Sequence, residues 1–114
     1  ATSGANGCLY CVVAHGAIVR IRAKDSRLSD QLATNHHKAD ITDRQKAMLD
    51  FALKVSLDSA SIADDDFAPL RAHGFSDEDI WDIAGVAAFF AMSNRMANFL
   101  SMRPNDEFYS MARS

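Results

Sequence analysis

An all-α fold is what this sequence predicts, and three observations predict it. Apolar residues recur at three- and four-residue spacing, as in Ala47, Met48, Phe51, Ala52 and Val55. Helix-opening signals precede such stretches: Thr42 with Gln45 three positions on, and Ser76 before Asp77-Glu78-Asp79. Two prolines and five glycines in 114 residues leave little material for the many turns of a sheet protein. A chain of this length forms one domain, residues 1–114, and buries roughly two thirds of its unfolded surface.

The elements follow in chain order. Ala1 to Gly7 is rich in small residues and reads as the end of a helix closed by an Asn6-Gly7 turn. A preceding helix is therefore expected to lie before Ala1. The next helix runs from about Cys8 to Lys24, with Val12, Val13, Ile18, Val19 and Ile21 as its apolar residues. Its basic end, Arg20, Arg22 and Lys24, complements the negative end of the helix dipole. A short polar helix is expected around Ser29 to Thr34, then a polar loop carrying His36 and His37. The Thr42 helix reaches about Asp58. Asp64, Asp65 and Asp66 read as the acidic first turn of a short helix that stops at His73-Gly74, with glycine as the stop. The longest helix opens at Ser76 and ends at Arg103-Pro104, roughly 40 Å away. Its middle, Val86 to Met92, is apolar on every side, and such a helix must be covered on every side. A domain this small seldom covers so long a helix alone, so contacts between subunits of a homo-oligomer are expected.

Charge and hydropathy exclude several classes. A net charge of −3 gives no electrostatic case for nucleic acid or an anionic membrane as partner. No stretch reaches the about 18 uninterrupted apolar residues of a membrane span, and no secretory signal pattern opens the chain. A disulfide-stapled secreted fold does not fit either, since one close pair of cysteines closes almost no loop. The cytoplasm is the expected compartment.

Chemistry concentrates at Cys8-Leu9-Tyr10-Cys11, followed four residues later by His15. These are the only two cysteines, at a spacing that lets two thiols close a disulfide within a helical turn. At about 100° per residue, Cys11 lies about 60° and His15 about 20° from Cys8, so the three share one stripe. Tyr10, about 200° from Cys8, faces another surface. The Asn6-Gly7 turn places the cysteines in the first helical turn, where unpaired N–H groups and the positive dipole end stabilise a thiolate. His15 is in reach to take the Cys11 proton or to stabilise its thiolate. In a thiol peroxidase reading, Cys11 attacks a peroxide oxygen and becomes a sulfenic acid, and Cys8 condenses with it. An external thiol then resets the pair, with Cys8, nearer the turn, the easier target. Spacing alone leaves two other readings open. The cysteines could pack as small inert hydrophobes, or hold zinc, which would need a fourth ligand from His36 or His37. Adjacent histidines in a polar loop read as solvated rather than ligating, and Asp64 to Asp66 as caps; no metal and no organic cofactor is expected. A thioredoxin-type fold is disfavoured, because its C-x-x-C follows a strand.

Asn6-Gly7-Cys8-Leu9-Tyr10-Cys11-Val12-Val13-Ala14-His15-Gly16 resembles the active-site signature of the alkylhydroperoxidase D-like (AhpD-like) family, within the carboxymuconolactone decarboxylase superfamily. Leu70 to Asp77 and Phe89 to Arg95 are similar to its peroxidase-related branch. The resemblance covers nearly the whole chain. It implies an AhpD-like helical bundle, a C-x-x-C pair at a helix N-terminus, a long C-terminal helix and assembly into homo-oligomers. It also implies a peroxidase in which Cys11 is peroxidatic, Cys8 resolving and His15 part of a proton relay. The substrate would be a small hydroperoxide, the reductant a dithiol or a thiol protein. The family relay begins with a glutamate at a position that would precede Ala1, and well-studied members carry histidine where this chain has Tyr10. Asn94 and Arg95 recur in the branch, where helix packing or a subunit contact is their expected role. Two other functions compete: a redox-sensing oligomer without turnover, and a decarboxylase or isomerase of small lactones like cysteine-free superfamily members. The last leaves both cysteines without a task.

Overall fold

A computed structural model describes residues 1–114 and is all-helical. Seven α-helices follow one another: α1 (Thr2–Ala5), α2 (Leu9–Ala23), α3 (Leu28–Thr34), α4 (Asp43–Leu57), α5 (Ala68–Ala72), α6 (Asp77–Phe99) and α7 (Asp106–Ser110). Short 3-10 turns at His36–Lys38, Ser59–Ser61 and Asp64–Asp66 join them. α6 is the spine. It packs along α4 on one side and meets α1 and α2 near its C-terminal half, while α3 and α7 lie against α2.

The caps behave as their chemistry demands. Thr42 Oγ1 accepts the Gln45 N–H at 3.1 Å and Gln45 Oε1 accepts the Thr42 N–H at 3.0 Å, closing a capping box at the start of α4. Ser76 and Asp79 repeat it at the start of α6. The Asn6-Gly7 turn is present: Gly7 sits at φ 62, and the Cys8 N–H reaches back to the Ser3 carbonyl at 3.0 Å. Gly4 is needed for another reason, since a Cβ there would collide with the Ala33 backbone where α1 crosses α3.

Three expectations are corrected. α6 ends at Phe99, not at Arg103-Pro104, which makes it 23 residues and about 35 Å long. The stop is a left-handed residue at Ser101, φ 54, with the Met102 N–H bonded to the Ala97 carbonyl and the Ser101 N–H to Asn98. Serine there gives no signal, because glycine ordinarily fills that position. The three aspartates form a separate 3-10 turn, and Phe67 opens the helix that follows. Asp66 bonds Lys54 Nζ at 2.8 Å and the Ala63 N–H at 2.8 Å rather than only capping. His36–Lys38 is an ordered turn in which His37 and Lys38 are exposed as expected but His36 is buried.

The main core is Phe51 from α4, Leu70, Phe75 and Ile80, with Val55, Ile62 and Phe67 packed around it. A second, smaller core holds Cys8, Cys11 and Ala97. Outside, α6 keeps an apolar seam in solvent: Phe89, Met92, Met96 and Phe99 are all exposed and follow one another at three-four-three spacing. No helix is long and apolar enough to cross a membrane.

The carboxylate bonds carry a prediction. The Lys54 ammonium and the Ala63 N–H hold the Asp66 carboxyl below the usual range, and the Ser76 N–H and hydroxyl do the same for Asp79. A carboxyl lowered in the folded state stabilises fully above the unfolded value of about 3.9 and loses that effect as pH falls through its folded value. The urea midpoint of the native protein should therefore drop steeply below about pH 4. Asp66→Asn with Asp79→Asn should flatten that limb; an unchanged slope would overturn the assignment.

Candidate active site

Cys8 is the residue from which the site is built. It stands just outside α2 with extended backbone, φ −87 and ψ 101, and its Sγ accepts the Cys11 N–H at 3.2 Å. The cysteine sulfur thus fills the place a serine or aspartate oxygen takes at other helix starts. No acidic residue sits in the first turn of α2 to oppose the positive helix end. Cys8 and Cys11 are joined as a disulfide, with Cα atoms 5.3 Å apart.

The turn that presents Cys8 is held by α6. Asn94 is completely buried; its Oδ1 accepts from Asn6 Nδ2 at 3.1 Å and its Nδ2 donates to Ser3 Oγ at 2.9 Å. Asn98 Nδ2 donates to the Asn6 carbonyl at 3.2 Å. Asn94 is therefore packed inside the chain against the motif. Its neighbour Arg95 bonds the Ala91 carbonyl of its own helix at 2.8 Å.

The sulfurs are not where the sequence suggests. Both cysteines are 1% exposed. Ala97 and Tyr10 close over the pair, so Cys8 is not the open target its place beside a turn implies, and Tyr10 packs on the cysteines instead of facing another surface. The physical reason is the position of α6, which crosses the first turn of α2 and makes that turn an interior one.

His15 lies on the same helix as Cys11, one turn on. Its Nδ1 is 3.1 Å from the Cys11 carbonyl oxygen. A carbonyl only accepts, so this contact places the hydrogen on Nδ1 and leaves Nε2 as the free acceptor of the neutral ring. The ring stands edge-on to Phe90 at 5.1 Å between centroids. His15 and Cys11 together line a cavity of about 70 Å³ with Ser3, Gly4, Gly16 and Ala33. About 10–15 Å³ suffices for one water, so this space fits a few waters or a small peroxide beside Cys11. His15 also forms part of the wall of a larger cavity of about 500 Å³, lined by Ile18, Met48, Ile83, Val86 and Phe90 and by Asp82. His15 thus lines both the apolar cleft and the small cavity that Cys11 also lines.

Cys8, Cys11 and His15 are thus brought together. His36 and His37 are not part of this group: neither lines a cavity beside Cys11, and both face Asp50. Asn94 and Asp82 are the neighbours that sequence reasoning gave no site role. Helical spacing was the only signal available, and it does not show which face of α6 meets the motif.

Solved structures match almost the whole chain, two of them as follows. One, from Ralstonia eutropha JMP134, is described as an alkylhydroperoxidase AhpD core, an uncharacterized peroxidase-related protein. It is 62% identical with a TM-score of 0.95 and matches 99% of this chain and 60% of its own. This chain is AhpD-like. The second, an uncharacterized peroxidase-related protein from Silicibacter sp. TM1040, is 47% identical with a TM-score of 0.95, over 98% of this chain and 59% of that one. The AhpD-like chain thus spans about 60% of the length of the relatives it matches. No family model and no curated protein matches it.

Proposed function

We propose that this AhpD-like chain is a cofactor-free, thiol-dependent peroxidase using Cys11, Cys8 and His15. The observation that carries the reading is the small cavity that Cys11 shares with His15, beside the Cys8–Cys11 disulfide. In the reduced protein, the Cys11 thiolate attacks one oxygen of a hydroperoxide. The O–O bond breaks, the departing alkoxide takes a proton that His15 carries, and an alcohol leaves. Cys11 is now a sulfenic acid. The Cys8 thiolate, supported by the Cys11 N–H, attacks the Cys11 sulfur, hydroxide departs as water after protonation, and the disulfide forms. An external dithiol then attacks the Cys11 sulfur and expels Cys8 into its cap. A second attack releases the oxidised reductant.

The exposed seam on α6 supports a homo-oligomer in which a second copy covers Phe89, Met92, Met96 and Phe99. A pair cycled by thiols fits a reducing compartment such as the cytoplasm. One observation favours a second reading. With both sulfurs 1% exposed, a sensor that oxidises once and changes assembly is also consistent with the geometry. Counting free thiols in the reduced protein before and after one equivalent of hydroperoxide tests both. Two thiols should vanish; unchanged thiols would sink peroxidase and sensor alike. Peroxide consumption with excess dithiol separates them, since turnover continues in an enzyme and stops after one equivalent in a sensor.

A further inference from the structure

His36, His37 and Asp50 form a group that the cysteine chemistry does not use. His36 Nε2 is 2.7 Å and His37 Nε2 2.8 Å from the same oxygen, Oδ1 of Asp50. The rings lie with centroids 4.2 Å apart and planes 34° from each other, so both present the same edge. One potential ligand atom from each of the three residues lies within 4.8 Å of the other two. The backbone is set for this. Asn35 Oδ1 accepts the His37 N–H at 3.1 Å, and the His36–Lys38 turn places the two imidazoles over α4, where Asp50 stands.

We propose that these three side chains bind one divalent transition-metal ion of the zinc class. Hydrogen bonding alone would require both imidazoles to carry a hydrogen on Nε2 and aim it at one oxygen. A metal ion replaces both hydrogens at once. Two imidazoles and a carboxylate are the donor set that suits Zn²⁺, Co²⁺ or Ni²⁺. With metal–ligand bonds of about 2.0–2.1 Å, donor atoms stand about 2.9–3.4 Å apart. The two imidazole-to-carboxylate gaps, 2.7 and 2.8 Å, are a few tenths of an ångström shorter. Small rotations of His37 and Asp50, whose side chains are 61% and 51% exposed, open them. Their exposure leaves the remaining coordination positions to water. The buried ring of His36 supplies the fixed ligand. The bound ion would tie the 3-10 turn to α4.

The test uses the whole chain with its disulfide closed, so that neither thiol competes for metal. Calorimetric titration with Zn²⁺ should show one saturable site per chain, and Co²⁺ should give visible d–d absorption. His37→Asn and Asp50→Asn, both at partly exposed positions, should each weaken Zn²⁺ binding at least about tenfold and bleach the Co²⁺ spectrum. His73→Asn, elsewhere on the surface, should change neither. Circular dichroism of each variant confirms that it is folded. Absence of a saturable site in the native chain, or full affinity in either ligand variant, would overturn the proposal.

Discussion

Cys11→Ser should reduce dithiol-driven peroxide consumption to the uncatalysed background. A serine hydroxyl is not ionised at neutral pH, and no other sulfur lines the cavity that His15 shares. Cys8→Ser should behave differently. Its Cys11 still reacts with a first equivalent, but no thiol stands three residues away to condense with the sulfenic acid. Further peroxide then drives Cys11 to the sulfinic acid, visible as a gain of two oxygens by mass spectrometry. Equal turnover in native and Cys11→Ser protein would end the assignment. Sulfinic acid appearing on Cys8 in the Cys11→Ser variant would reverse the two roles.

The largest stability effect is expected at Arg20. Its guanidinium is 2% exposed, inside the fold. Nε donates to the Met111 carbonyl at 2.8 Å, one terminal nitrogen to Ser29 Oγ at 2.9 Å and the other to the Phe108 carbonyl at 2.9 Å. Burial lowers the proton affinity of this group, and the charge of nearby Arg113 acts in the same sense. The three acceptors offset the loss of water. Arg20→Met keeps an unbranched apolar stem and removes every donor. Hydrogen bonds to charged groups contribute about 1.5–3 kcal/mol each, but the two carbonyls are only partly buried and regain water, so a net loss of about 3–4 kcal/mol is expected. Arg20→Lys should recover less than half of it, because one ammonium cannot span three divergent acceptors. Denaturant midpoints with an unchanged slope would measure this. A loss under about 1 kcal/mol would mean that α7 is held by other contacts.

Arg20 also marks the limit of what the sequence made legible. Its place in the last turn of α2 suggested interaction with a helix dipole, a local reading of a residue whose partners are long-range. Local signals read well: the capping boxes at Thr42 and Ser76, the Asn6-Gly7 turn and the order of the helices follow from residues within four positions of one another. The stripe of Cys8, Cys11 and His15 belongs to the same class. Tyr10, Asn94 and the burial of Cys8 do not, because α6 decides them. His36 was misread for a related reason. Its order comes from Asp50 on the following helix, and a polar composition does not report a partner fourteen residues on.

The bonds that finish the cysteine site join Asn6 to Asn94 and Asn98, and Ser3 to Asn94, across separations of 88 to 92 positions. Protein synthesis runs from the N-terminus, so the two thiols leave the ribosome long before the residues that cover them exist. Pairings of such span also form late and slowly in a free chain, since a long loop must close before they stabilise anything. Until then the newborn polypeptide carries its sulfurs without the cover that α6 gives them in the finished molecule. Completion of this turn is therefore a late event of folding, waiting for α6 to bring Asn94 and Asn98 against Ser3 and Asn6.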